Sequence, residues 1–156
     1  MKTIRVGLIS DTHGLLRAEA ERELHGSDYI VHAGDICDPA ILEALERIAP
    51  LTAVRGNNDR GPWAERLPQT STLRVGSVQI LAIHDLGTLS IDPRTTGVQV
   101  VVAGHSHRPL IETRDGVLFV NPGSAGPRRF RLPVSVAHLQ VQGSQVRAEW
   151  RELTAI

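Results

Sequence analysis

Five apolar runs in this chain each stop at a side chain able to bind a metal. Ile4 to Ser10 ends at Asp11-Thr12-His13, and Tyr29 to Gly34 ends at Asp35. Leu51 to Gly56 ends at Asn57, Val78 to Ile83 at His84, and Val98 to Gly104 at His105-Ser106-His107. Short apolar runs rich in β-branched residues read as buried strands. Ligands of open sheets collect at the carboxyl ends of such strands, so the five ends point to one shared site. Seven N and O donors are too many for a single tetrahedral zinc,. They suit two ions that share a bridging carboxylate.

The segments between the runs indicate how the chain is wound. An amphipathic helix near Leu15 to Leu24 is terminated by His25-Gly26, and Pro39 opens a second helix whose apolar positions are Ile41, Leu42, Leu45 and Ile48,. The resulting βαβαβ order with short linkers predicts a parallel sheet. After Asn57 the character changes to hairpins. Ser71 to Val75 and Val78 to Ile83 flank Gly76-Ser77, and Leu110 to Thr113 and Val117 to Val120 flank Asp115-Gly116,. Val134 to Gln140 and Gln145 to Trp150 flank Gln142-Gly143-Ser144. Val98 to Ala103 is apolar except at Gln99 and predicts a strand buried on both faces,. Asp85 to Gly97 is turn-rich, leaving room only for brief helix, and 123–133 is the longest irregular stretch of the second half. The picture is two sheets face to face with helices outside, in a single α/β domain spanning residues 1–156.

Bulk properties exclude several function classes. Seventeen basic and 17 acidic residues balance to zero formal charge, so the electrostatic footprint of a duplex-DNA binder or a membrane-surface protein is missing. Five aromatic residues (Tyr29, Trp63, Phe119, Phe130 and Trp150) are few for a base-stacking platform,. Cys37 is the only cysteine, which rules out a disulfide framework within the chain; two residues past Asp35, it is read as a small core residue in its turn, with a soft metal ligand as the alternative,. No apolar stretch reaches membrane-spanning length and no signal-peptide pattern opens the chain, so a cytoplasmic location is expected.

A two-metal hydrolytic site needs hard or borderline ligands, a carboxylate that bridges, and room for water. Asp11 and His13 alternate in sequence, as do His105 and His107, so each pair is expected to point one way from a strand end,. Asp35 follows Gly34, which permits close backbone approach. Asn57 offers an amide oxygen, and His84 a further imidazole. Two carboxylates against two divalent cations leave net positive charge, which attracts a phosphate ester and acidifies a bound water.

The set Asp11-Thr12-His13, Gly34-Asp35, Gly56-Asn57-Asn58-Asp59, His84 and Gly104-His105-Ser106-His107, in this order, resembles the calcineurin-like metallophosphoesterase superfamily. Asn121-Pro122-Gly123-Ser124 extends the likeness towards its compact bacterial and archaeal phosphodiesterases. The resemblance implies a four-layer α-β-β-α sandwich of two mixed sheets. It implies one metal on Asp11, His13, Asp35 and His107 and a second on Asp35, Asn57, His84 and His105. A hydroxide held between the ions would attack phosphorus in line. Manganese is the expected metal, with Zn, Fe, Co and Ni as alternatives that the mixed N/O ligands also suit. The partner would be a small phosphate-ester substrate, and a homodimer or homotetramer is the assembly that relatives of this size suggest.

Two positions depart from the family pattern. Asn58 stands where many members have a histidine acid, and an amide gives up no proton at neutral pH. It retains a hydrogen bond to offer a phosphoryl oxygen, so the expected substrates shift to diesters with acidic leaving groups, such as aryl or nucleotide esters. Asp85 replaces a glycine and is read either as a partner that orients His84 or as the cap of the next turn. Asp59 is read either as a turn residue or, as the resemblance implies, as orienting its neighbours through hydrogen bonds, and Arg128 and Arg129, in the 123–133 stretch, as a solvated loop weighed against a phosphate contact. His25 is read as a helix C-cap, His138 as structural, and His32 as a buried residue with a minority claim to a supporting role. The competing function is a non-catalytic scaffold resembling the retromer subunit of the same fold, against which the retention of all seven ligands argues.

Overall fold

The computed structural model describes residues 2–153. Strands β1 (Ile4–Ile9), β2 (Tyr29–His32) and β3 (Leu51–Ala53) pair in parallel, joined through helices α1 (Ala18–Leu24) and α2 (Pro39–Glu46). Strands β9 (Ser135–Gln142) and β10 (Gln145–Glu152) complete this sheet in the order β10-β9-β1-β2-β3, with β9 antiparallel to β1. The second sheet has the order β4-β5-β6-β8-β7, formed by β4 (Thr70–Val75), β5 (Val78–Ile83), β6 (Val100–Val102), β7 (Leu110–Arg114) and β8 (Val117–Asn121). Its hairpins β4–β5 and β7–β8 are antiparallel, while β5, β6 and β8 run parallel. Both sheets are therefore mixed. The Asp115-Gly116 turn has both residues at positive φ (50° and 81°), the backbone that a two-residue hairpin loop requires,.

Strand alternation builds the layers. Val6 and Leu8 of β1 face inward with Val31, Ile80, Ala82, Val100, Val102 and Leu139 to form the core between the sheets. Ile9 and Ile30 point the other way, under Ala20 and Leu24 of α1 and Ile41 and Leu45 of α2. On the far side, Leu81, Ile83 and Val101 are covered by Val98, Leu86 and Leu89. That outer layer is thin, consisting of a 3-10 turn at Leu86–Thr88 and a short helical turn at Pro93–Thr96 beside connecting chain. Asp38 caps α2 by accepting from the Ala40 N–H at 2.9 Å, with Pro39 in the first turn,.

Several boundaries differ from the sequence reading. Helix α1 begins at Ala18, not Leu15, because Gly14 is left-handed (φ 80°) and the Leu15 N–H closes a turn onto the Thr12 carbonyl. The buried run at Val98 to Ala103 forms a strand only over Val100–Val102, with all three residues buried. The last hairpin is longer than expected: Gln142 pairs with Gln145, leaving Gly143-Ser144 as a two-residue loop.

Candidate metal centre

Every predicted ligand lies just beyond the carboxyl end of a parallel strand, and the packing of the two sheets brings these ends together. Asp11 and His13 follow β1, Asp35 follows β2, Asn57 follows β3, His84 follows β5, and His105 and His107 follow β6. The expected strand alternation is not what aims the paired ligands. The strands have already ended, and Asp11, His13, Asp35, Cys37, His105 and His107 all have left-handed backbone, with φ between 44° and 72°. Such conformations are uncommon outside glycine and collect at functional sites. Each pair thus occupies a looped turn in which residues i and i+2 are both left-handed. Gly56 allows the third loop to approach, since a Cβ there would collide with the backbone N and Oδ1 of Asp35.

The side chains bring their N and O donor atoms close together. The Nε2 atoms of His13 and His107 are 3.3 Å apart. Asp11 Oδ1 is 3.4 Å from His107 Nε2 and 3.7 Å from His13 Nε2. The other Asp11 oxygen, Oδ2, accepts from the Ser10 hydroxyl at 2.7 Å and the His105 N–H at 3.1 Å, while Oδ1 is buried with no hydrogen-bond partner. In the second cluster, the short distance from His84 Nδ1 to the Ala33 carbonyl (2.8 Å) requires an Nδ1–H donor. The Nε2 lone pair of a neutral His84 then faces two acceptors, Asn57 Oδ1 at 3.0 Å and Asp35 Oδ2 at 3.3 Å. His105 Nδ1 approaches the same Asn57 oxygen at 3.2 Å. Asp35 Oδ2, also 3.6 Å from His13 Nε2, stands between the clusters. Carboxylates, an amide oxygen and imidazoles gathered this way call for positive charge among them, carried by protons on the rings or by bound cations, and the N/O donor set fits metal ions.

Charge follows this geometry. Burial would raise the Asp11 carboxyl pKa, but contacts with His107, His13 and Ser10 outweigh it and hold the value far below the usual range. Asp35 shows the same opposition: burial raises, His84 and Asn58 lower, and the value lies at about 2. Burial lowers His84, yet Asp35 and Asp11 raise it further. Both carboxylates are therefore ionised and ready to bind metal at neutral pH.

The loops behind the ligands are tied together by buried polar groups. Asp59, 1% exposed, accepts three backbone N–H groups: Asp35 (3.0 Å), Gly56 (2.8 Å) and Cys37 (2.8 Å). Asn58 turns towards Asp35, donating its backbone N–H to Oδ1 at 2.8 Å and its side-chain amide to Oδ2 at 2.9 Å. His32 is fully buried between two ligand loops. Its Nδ1 accepts from the Gly34 N–H at 3.1 Å, so Nε2 carries the proton and faces Thr12 Oγ1 at 3.1 Å, whose hydroxyl in turn donates to the Ile36 carbonyl. Burial pushes the His32 pKa down to about 3, which keeps the ring neutral. Asn121 donates to the Gly104 carbonyl (3.0 Å) and Ser106 Oγ (3.1 Å), and the Ser124 hydroxyl donates to the Asp11 carbonyl (3.0 Å).

Other predicted residues fall as follows. Cys37 is not a core residue: it is half-buried beside the ligands, with Sγ 3.9 Å from His13 Nδ1, because its left-handed backbone turns it towards them. Burial together with Asp59 and Asp35 pushes its thiol up to about 11. Asp85 caps the 3-10 turn through the Gly87 N–H (2.9 Å) and lies 3.9 Å from His105; the Ala33 carbonyl, not Asp85, holds the back of His84. Arg128 is exposed on the 126–133 loop, with no hydrogen bond to the centre among the described residues. His25 is the C-cap of α1. Arg55 and Arg60, which the sequence reading passed over, line a cleft beside Asn57, His84 and His105. Nothing in the sequence pattern marks them, apart from their nearness to Asn57.

Comparison with known proteins agrees with this architecture. Residues 4–144 match the model of the calcineurin-like phosphoesterase superfamily domain. A probable metallophosphoesterase of Methanothermobacter thermautotrophicus is 34% identical over 155 residues, covering 92% of this chain and 90% of the relative. A phosphodiesterase of Methanocaldococcus jannaschii is 23% identical over 138 residues, covering 77% of this chain and 83% of its own length. Among solved structures, vacuolar protein sorting 29 of Cryptosporidium parvum superposes with a TM-score of 0.78 at 21% identity, covering 96% of this chain and 97% of that one. At that identity it speaks for the fold alone. With a family model spanning most of its length and a relative that shares a third of its residues, this chain belongs to the calcineurin-like phosphoesterase superfamily.

Proposed function

We propose that the chain is a dinuclear metal-dependent phosphodiesterase. The observation that carries this reading is the convergence of N and O atoms from Asp11, His13 and His107 and from Asn57, His84 and His105, with Asp35 between them. In this assignment Asp11, His13, Asp35 and His107 hold one ion, and Asp35, Asn57, His84 and His105 hold the other. Divalent ions held there, with manganese the first to test, supply positive charge for the phosphoryl oxygens and acidity for the attacking water. Asp59 and His32 act on the ligands through backbone and hydroxyl groups, so they are positioning residues.

The preference for diesters with acidic leaving groups follows from Asn58. Its amide has no proton to give up, and in this structure its backbone N–H and one side-chain N–H already donate to Asp35,. The leaving oxygen must then be a weak base or take its proton from solvent. Arg128 is proposed as an outer contact for the phosphate. Hydrolysis of bis-p-nitrophenyl and p-nitrophenyl phosphate over a panel of Mn, Zn, Fe, Co and Ni tests the reading, with His84→Ala as control. Diester hydrolysis that is abolished in the control is expected. No hydrolysis with any metal, or equal hydrolysis by the control, would sink the enzyme reading and leave the scaffold one.

A further inference from the structure

A cleft of about 830 Å³ adjoins the candidate centre and opens onto Asn57, His84 and His105. Its walls carry Arg55 and Arg60 from the chain after β3, Gln69 and Thr70 from the start of β4, and Thr88 and Ser90 from around the 3-10 turn. Ile83 is the only aliphatic side chain among the described lining residues, and no phenyl, phenol or indole ring faces the space. Apart from the imidazoles of His84 and His105 and the arginine planes, a nucleobase would find nothing to stack on,.

The two arginines are the telling part. The Arg55 Nε–H donates to the Asp59 carbonyl at 3.1 Å, which fixes the guanidinium plane on the cleft wall. Its terminal nitrogens have no carboxylate partner among the described residues, and neither does the guanidinium of Arg60. The carboxylates nearby are already engaged. Asp59 is filled by three backbone donors, and Asp85 accepts from Gly87 and lies near His105. An immobilised guanidinium without a counter-ion matches a planar pair of phosphate oxygens. The remaining amide and hydroxyl groups suit a hydroxylated ligand.

We infer that this cleft receives the arm of the substrate that stays on phosphorus, and that this arm is a polyol carrying its own phosphate. The inference rests on the phosphodiesterase reading above and narrows its substrate class. In the reaction, the water oxygen bonds to the central phosphorus and the P–O bond to the other, acidic alcohol breaks. One water proton ends on the departing oxygen or in solvent, and the other is released or stays on the new monoester. The products are the acidic alcohol and a polyol monoester that keeps its own phosphate on the arginine wall.

The test is calorimetric titration of ribose 5-phosphate and of ribose into the full chain, both metal-free and manganese-loaded. The sugar phosphate is expected to bind even the metal-free chain, with no binding of ribose at the same concentration. Arg60→Ala should weaken it at least tenfold, whereas Arg147→Ala, on β10, should match the native chain. With the metals present, ribose 5-phosphate should compete with bis-p-nitrophenyl phosphate. Unchanged binding in Arg60→Ala, with an unaltered urea midpoint to show that it folds, would overturn the inference; so would ribose binding as tightly as its phosphate. A chain that binds the sugar phosphate through Arg60 but hydrolyses no diester would keep the cleft and remove the enzyme reading. A chain that hydrolyses diesters yet ignores the sugar phosphate would do the reverse.

Discussion

Replacing Asp59 should loosen the metal centre without touching a ligand. Its carboxylate accepts from Asp35, Gly56 and Cys37 at 3.0, 2.8 and 2.8 Å, joining the loop after β2 to the loop after β3. Asp59→Ala strands three backbone donors, two of them with Asp59 in buried surroundings. Each orphaned donor costs about 1–3 kcal/mol, with the lower figure where water enters from the cleft. The sum, discounted for such water, is about 4 kcal/mol, a large part of the roughly 5–15 kcal/mol that holds a domain folded. Asp59→Asn keeps one oxygen, which can continue to serve Asp35 and Gly56 while the amide nitrogen opposes the Cys37 N–H, so it should cost about 2 kcal/mol. Urea denaturation of the metal-free proteins reads these losses as midpoint shifts at unchanged slope. Calorimetric manganese titration of Asp59→Asn should show affinity reduced by about 10–100-fold, the usual effect of removing a partner that orients ligands. If Asp59→Ala unfolds within about 1 kcal/mol of the native chain, or if Asp59→Asn binds manganese normally, the three hydrogen bonds do not organise the centre.

Two further outcomes follow from buried polar groups. His32 titrates near 3 when folded and 6.5 when unfolded. Between those values only the unfolded chain holds the proton, so stability is complete above about 6.5 and falls by up to about 5 kcal/mol as pH drops towards 3. Metal-free urea midpoints from pH 7 to 4 should show this slope, and His32→Gln should flatten it; parallel curves would remove His32 as its source. Asn58→His should raise turnover of alkyl diesters more than of p-nitrophenyl diesters, because only the former need a proton delivered; equal gains on both would refute the leaving-group argument.

What the sequence made legible was the chemistry at the strand ends. A buried strand must be apolar, so the first polar side chain after it is conspicuous, and Asp11, Asp35, Asn57, His84 and His105 are all found that way. The two sheets and their hairpins were readable for a related reason, since Gly76-Ser77 and Asp115-Gly116 carry turn chemistry that few other geometries need. Contacts between distant segments left no such mark. His32 meets Thr12 across 20 residues, and only the packing shows that a histidine inside a strand serves two ligand loops. Cys37 was misplaced because its burial depends on a left-handed turn that composition does not announce. Arg55 and Arg60 gain meaning only when β4 and the 3-10 turn close a cleft around them.

The left-handed ligand residues also explain why these loops hold their shape before any metal arrives. Six non-glycine residues at positive φ carry a strain of about 1 kcal/mol each or more,. Loops free to relax would shed it. Here the parallel ladder of β1 and β2 continues past the strands: the Asp11 N–H reaches the Gly34 carbonyl (3.0 Å), His13 that of Asp35 (2.9 Å), and Gly14 that of Ile36 (2.8 Å). The strained turns after β1 and β2 are thus bonded to each other, His32 locks that pair from behind, and Asp59 ties the second of them to the loop after β3. Relaxing one residue would break a ladder that the next depends on, so the strain is retained as a unit. A centre built this way spends little of its metal-binding energy on ordering the protein. For the seven proposed ligands that ordering cost falls on folding, so removing a positioning group should show in metal affinity as well as in stability.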